Sequence, residues 1–301
     1  MALLWLVSII WAFSFGLIKG RLAGLDPDIV ATLRLALALV VFLPLLRLRR
    51  LPARLAGQLV ALGAVQFGAM YLLYQRAYVY LPAYAVVLFT LTTPLYVALA
   101  DAFAERRLHA RYLLAAVLAL LGASAVVFNV VLETSLLTGF GLMQASNLCF
   151  AAGQIAWRRL RPQFPADATD ASLFALPYAG ALAASFLGSL LTADWTALHL
   201  TLTYTWVLVY LGVVSSGACF FWWNRGATRV NAGTLAVFNN AKVPLGVLCS
   251  LLFFGESADL ARLGAGGALM AFGVWIAGRD RPGLLPNRGC EDAAKEPPYR
   301  A

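Results

Sequence analysis

The sequence predicts an all-α membrane protein: ten transmembrane helices built as two inverted five-helix repeats. Three observations carry that expectation. Hydrophobic residues make up 61% of the chain, charged residues 12%, and mean hydropathy is +0.78, far outside the range of a soluble globular chain. Apolar runs of roughly the 20 residues needed to cross a bilayer recur along the whole chain. Basic residues, placed on alternate loops, fall very unevenly on the two sides of the membrane.

The first run, Ala2–Ile18, has no positive segment before it and no small-residue cleavage site within Ser8–Phe15, so it reads as a retained helix rather than a signal peptide. The second, Asp28–Leu46, contains Arg34. The third, Leu55–Gln75, leads into a tyrosine stripe, Tyr71, Tyr74 and Tyr78, at i, i+3 and i+7. Pro82–Asp101 holds Pro94 mid-span, and Tyr112–Val130 completes the first five. Gly139–Trp157 opens the second set, with Gln144, Asn147, Ala151 and Gln154 at i, i+3, i+7 and i+10. Ala171–Leu191 and Thr203–Trp223 follow. Gly233–Phe254 carries Lys242 and Pro244, and Ala261–Ala277 is the last. Beyond Gly278 the chain turns polar and proline-bearing, and residues 279–301 read as a flexible cytoplasmic tail.

With ten spans, 17 basic residues lie on one side (Arg47 through Arg54, Arg106 through Arg111, Arg158 through Arg161, Arg225, Arg229 and the tail) and four on the other: Lys19, Arg21, Arg76 and Arg262. Both termini are therefore expected in the cytoplasm, with the chain in the plasma membrane. This bias accounts for the formal charge of +9 without a nucleic-acid partner. Cys149, Cys219 and Cys249 fall in spans and Cys290 in the tail, with no spacing that suggests a disulfide framework or a zinc site. No cofactor and no metal are expected.

Aligning the chain with itself reveals an internal repeat. An offset of 149 matches Val60 with Val209, Gly63 with Gly212, Gly68 with Gly217 and Arg76 with Arg225; 150 matches Pro94 with Pro244; 151 matches Glu105 with Glu256, Arg111 with Arg262 and Gly122 with Gly273. The expected units are residues 1–132 and 137–278. An odd number of spans per unit inverts the second relative to the first, which puts a binding site near the midplane between them and permits alternating access.

The stretches PLYVALADAFAERRLHARYLLAAVLALLGASAVV and VPLGVLCSLLFFGESADLARLGAGGALMAFGV resemble the ends of two EamA domains, and WAFSFGLIKG with DPDIVATLRLALALVV resembles the start of the first. The resemblance implies a ten-helix carrier of the drug/metabolite transporter superfamily, similar to bacterial amino-acid and metabolite exporters of the aromatic amino-acid type. Lys242 departs from the family pattern, where the position is usually small or apolar.

Lys242 is the best pointer to function. A helix rises about 1.5 Å per residue, which leaves it roughly 13 Å from one end of its span and roughly 18 Å from the other. An ionisable group that deep costs at least about 2.5 kcal/mol, so by default it faces a cavity and marks a substrate or ion path. No Asp or Glu lies mid-span to pair with it. Asn239 stands one turn away. The amides of the sixth span, Gln144, Asn147 and Gln154, read either as a cavity wall or as bonds between helices. Trp11 reads as core packing or a pocket wall, and Tyr71 and Tyr78 as pocket or interfacial aromatics. Arg34 reads first as a residue near a span end that snorkels or bonds helix to loop, a structural role, and second as a substrate contact. Pro94 and Pro244 are candidate hinges or plain kinks.

Absences narrow the function. No phosphate loop is present, so the chain is not itself an ATP-driven pump, and no ATPase subunit is required. His109 and His199 lie in loops, and no nucleophile and base are paired for enzyme chemistry. The leading expectation is export of a small molecule, foremost amino acids including hydrophobic and aromatic ones. A carrier of anionic metabolites such as sugar phosphates is the alternative, and an intramembrane enzyme or scaffold is the rival from another class.

Overall fold

Inside a bilayer no water satisfies the backbone, so each spanning segment must close its own hydrogen bonds. All regular structure among the described residues is helical. The computed structural model describes residues 2–104, 114, 115, 117, 118, 121, 122, 125, 134–229 and 232–278.

Helix α1 (Ala2–Leu22) runs past its predicted end and carries Lys19 in its last turn. Helix α2 (Pro27–Phe42) starts at Asp26, whose carboxylate accepts from the N–H groups of Asp28 and Ile29 while Pro27 occupies the first turn. The predicted third span is composite: α3 (Ala53–Gly63), a π-helical stretch Ala64–Ala69, and α4 (Met70–Tyr80). The fourth is broken differently, as α5 (Ala83–Phe89), a 3-10 turn Thr90–Thr92 and α6 (Thr93–Ala104). That break falls where the ring of Pro94 would meet the carbonyl four residues back, at Thr90. Pro244, by contrast, sits within an uninterrupted helix, so the two expected hinges differ locally.

Most of the predicted span Tyr112–Val130 lies outside the described residues, as does the tail from 279 onward. Helix α7 (Thr134–Leu160) is 27 residues long. It is followed by the short, Thr169-capped α8 (Asp170–Leu173) and by α9 (Ala175–Thr192). Next come α10 (Leu202–Val209), a second π-helical stretch Tyr210–Ala218, and α11 (Cys219–Ala227). Helices α12 (Ala232–Phe253) and α13 (Leu260–Gly278) are the last among the described residues.

Among the described residues, five segments are long and apolar enough to cross a membrane: Leu3–Leu22, Pro27–Leu45, Ala53–Tyr80, Asp170–Thr192 and Leu202–Ala227. Ala83–Val97, Phe238–Phe253 and Leu260–Gly273 are shorter apolar helices. Helix α7 has the length, but Gln144, Ser146, Asn147 and Gln154 dilute its hydropathy, and the last three of these are buried.

Packing centres on α1 against α12, α4 against α7, and α9 against α2, α3 and the first π-helical stretch. Glycines set the closest approach. A side chain on Gly63 would strike the backbone of Pro177, and one on Gly180 the carbonyl of Val60, so α3 and α9 touch backbone to backbone.

Candidate functional site: a cationic aromatic cavity

The π-helical stretches widen the helix by one residue per turn and leave carbonyls turned away from the helix axis. Around the second stretch those carbonyls are taken by side chains. Trp11 Nε1 donates to Ser215 O at 2.9 Å, and the Tyr178 hydroxyl donates to Ser216 O and Gly217 O at 2.5 and 3.0 Å. Fixed in this way, Trp11 packs against Phe220 and Trp223, with ring centroids 4.8 and 5.2 Å away, and walls a central cavity of about 70 Å³. A polar-lined space of that volume has room for several waters.

Two cations face it. Lys242 is buried, donates from Nζ to Asn239 Oδ1 at 3.1 Å, and lies 5.1 Å from the centroid of the Trp11 ring, a cation–π distance. Asn239 in turn donates to Thr90 O at 3.4 Å, tying α12 to the broken fourth helix. Arg34 enters from α2. Its Nε donates to Ser216 Oγ at 3.1 Å and one terminal nitrogen to the Tyr71 hydroxyl at 3.0 Å, while the other terminal nitrogen, Nη1, has no partner among the described residues. The guanidinium lies 4.6 Å from the Tyr71 ring centroid, and the Tyr71 and Ser216 hydroxyls join each other at 2.8 Å. Among the described residues no carboxylate lines the cavity.

Of the residues named from sequence, Lys242, Arg34, Trp11, Tyr71 and Asn147 line this cavity, and Asn239 holds Lys242 from behind. Arg34 corrects the first reading made of it. At 2% exposure and bonded to α4 and to the second π-helical stretch, it does not snorkel to a surface. Asn147 donates to Phe89 O at 2.8 Å and Thr92 Oγ1 at 3.1 Å. Gln144 is not in the lining: its Oε1 accepts from Thr92 at 2.6 Å and Tyr96 at 3.0 Å, which is the interhelical bonding role. Gln154 is buried but lies about 10 Å further along the helix than Asn147, beyond the cavity. Tyr78 bonds the Tyr74 hydroxyl at 2.8 Å and lines a different cavity.

Sequence reasoning missed Thr90, Thr93, Ser146, Phe150, Ser215 and Phe220 as lining residues. Met143, Asn147 and Phe150 fall at i, i+4 and i+7, a signal that helical spacing contains. It missed as well a fully buried amide pair joining the first π-helical stretch to α11. There Gln66 Nε2 donates to Asn224 Oδ1 at 2.9 Å and Asn224 Nδ2 to Gln66 Oε1 at 3.2 Å.

Residues 1–128 match the EamA-like transporter family. The chain is 40% identical over 271 residues to a protein of Pseudomonas aeruginosa named a probable biotin transporter, spanning 90% of this chain and 94% of that one. It is 37% identical over 278 residues to the biotin transporter of Escherichia coli K12, spanning 92% of each. The chain belongs to the EamA-like transporter family. As a family member it is a multi-pass membrane transporter of the drug/metabolite transporter superfamily and not an enzyme. The biotin transporter of Salmonella typhimurium is 39% identical over 279 residues, again over 92% of each chain. A solved crystal structure superposes with a TM-score of 0.64 at 20% identity, over 92% of this EamA-family chain and 96% of that one, which speaks to the fold. The relatives carry biotin in their names, so the expectation of amino-acid export finds no support in them.

Proposed function

We propose that the chain is a secondary carrier of biotin, or of closely similar carboxylates, in the bacterial inner membrane. The observation that carries this reading is the cavity itself, where two buried cations and no described carboxylate are walled by aromatic rings. Biotin is a monocarboxylate with an apolar tail and a hydrogen-bonding urea ring. Its carboxylate matches the unused donors of Lys242 and Nη1 of Arg34; Trp11, Phe150 and Phe220 suit the apolar body, and Asn147, Thr90 and Ser146 offer polar partners for the urea. A zwitterionic amino acid fits less well, because its ammonium would lie among two cations with no acid to receive it. A sugar phosphate would satisfy both cations but would set its hydroxyls against the aromatic wall.

The carrier is proposed to be two inverted five-helix units, residues 1–132 and 137–278, with both termini cytoplasmic. Support comes from reciprocal packing. A side chain on Gly122 would meet the carbonyl of Gly266, and one on Gly273 that of Ala115 at 2.9 Å; both partner pairs are related by the offset of 151 found in the sequence. Likewise the two π-helical stretches fall in the third and eighth predicted spans. No ATPase subunit and no nucleic acid enter this reading. The test is counterflow of labelled biotin in liposomes containing the purified chain. Accumulation competed by unlabelled biotin, and not by biotin amide or phenylalanine, is expected. Counterflow of phenylalanine without biotin would overturn the assignment.

A further inference from the structure

Helices α1, α2 and α4 each line two cavities, the second displaced along the same helices. On α1, Phe15 faces the central cavity and Lys19 a second one; on α2, Arg34 faces the first and Val30 the second; on α4, Tyr74 faces the first and Tyr78 the second. In every case the step is four residues, about 6 Å of helix, toward the ends that carry Lys19 and Arg76. The second cavity has a volume of about 260 Å³. Three rings divide the two. Phe15 and Tyr74 have centroids 6.0 Å apart, Tyr74 and Tyr78 are 5.2 Å apart, and the tyrosine hydroxyls bond each other.

The second cavity has the chemistry of an anion site with an apolar wall. Lys19 Nζ gives one of its three donors to Tyr78 O at 2.6 Å, and among the described residues no carboxylate pairs with it. Gln75, 2% exposed, also lines the cavity, and its side-chain nitrogen has no partner among the described residues. Of the two acids nearby in sequence, Asp26 accepts from the N–H groups of Asp28 and Ile29 as the cap of α2, and Asp28 is held by Arg76 at 2.6 Å and by Thr192 at 2.5 Å. Ile18, Leu22 and Val30 supply the apolar surface.

We propose that this outer cavity is a second binding site for a monocarboxylate, occupied before or after the central site and separated from it by Phe15, Tyr74 and Tyr78. It rests on the biotin reading above. Equilibrium binding of labelled biotin to the purified full-length chain in detergent tests it. Two saturable sites are expected in the wild type. Lys19→Met and Gln75→Leu each weaken the same one of the two sites at least tenfold and leave the other intact, while Lys242→Met does the reverse. Should Lys242→Met fail to fold, the fall from two sites to one in Lys19→Met decides alone. A single site in the wild type, unchanged in Lys19→Met and accompanied by normal biotin counterflow, overturns this proposal and leaves the carrier reading standing. Absence of any saturable biotin binding to folded wild type removes both.

Discussion

Lys242 and Arg34 share one cavity but are held differently, and the difference sets what each substitution does. Lys242 makes one described hydrogen bond, to Asn239, and keeps two donors for a ligand. A charge-assisted hydrogen bond is worth about 1.5–3 kcal/mol, so Lys242→Met is expected to lower biotin transport by roughly ten- to a hundredfold with the protein still inserted. Undiminished counterflow in that variant would end its role as the carboxylate ligand. The pair Gln66 and Asn224 tests structure rather than transport. Removing one amide strands the other, fully buried, for about 1–3 kcal/mol, whereas Gln66→Leu/Asn224→Leu strands neither. Each single variant should therefore melt below the double in detergent; equal melting of all three would show that the amides are not coupled. Lys242, Trp11 and Asn147 were legible in the sequence because a charge, a central tryptophan and an amide stand out against apolar neighbours. Thr90 and Ser215 were not, because small hydroxyls are common in spans and these matter through local departures from α-helical geometry.

At the scale of elements, the ends of helices are joined across the chain. Gly255 adopts a φ of +67°, a left-handed conformation that ends α12 and turns Glu256 back toward the bundle. The Glu256 carboxylate then accepts from the N–H groups of Ala83 at 2.7 Å and Tyr84 at 2.9 Å, capping α5 from a distant part of the chain. A cap of this kind contributes about 0.5–2 kcal/mol, aided by the positive end of the helix dipole. Glu256→Ala is thus expected to lower the unfolding midpoint, and Glu256→Gln, which keeps one acceptor, to lower it less. Identical midpoints for wild type and Glu256→Ala would show the contact to be dispensable. Its repeat partner in the sequence, Glu105, lies outside the described residues. Among the described spans, helix existence and approximate ends followed from hydropathy and the break at Thr90–Thr92 was signalled by Pro94, while the π-helical stretches Ala64–Ala69 and Tyr210–Ala218 were not legible, since apolarity records burial and not the pitch of the backbone.

For the whole molecule, the proposed orientation rests on the lopsided distribution of 17 basic residues against four that ten spans give. Reporter fusions after Arg54 and Arg161 are expected to read cytoplasmic, and fusions near Asp26 and Trp195 external. A cytoplasmic reading at Trp195 would break the inverted arrangement. Coupling follows from the charges inside. The central cavity has no described carboxylate to relay protons, and Asp28 is locked to Arg76, so biotin efflux from loaded liposomes should follow its own gradient and persist when an uncoupler collapses the proton gradient. Proton movement in fixed ratio to biotin, lost in Lys242→Met, would instead make the lysine the coupling group.

The π-helical stretch Tyr210–Ala218 makes this chain unusually sensitive to length. Deleting one codon there would leave composition and hydropathy almost untouched and would let the segment wind as ordinary α-helix. Winding nine π-helical residues as eight α-helical ones would then change the rotation of everything beyond the deletion about the helix axis. Asn224 would swing off Gln66, and Trp11 would lose its hold on Ser215 O. A frame-preserving deletion that any hydropathy plot would pass as silent is therefore expected to be as damaging as removing the cavity's own cations, whereas the same deletion in the loop between α9 and α10 should be tolerated.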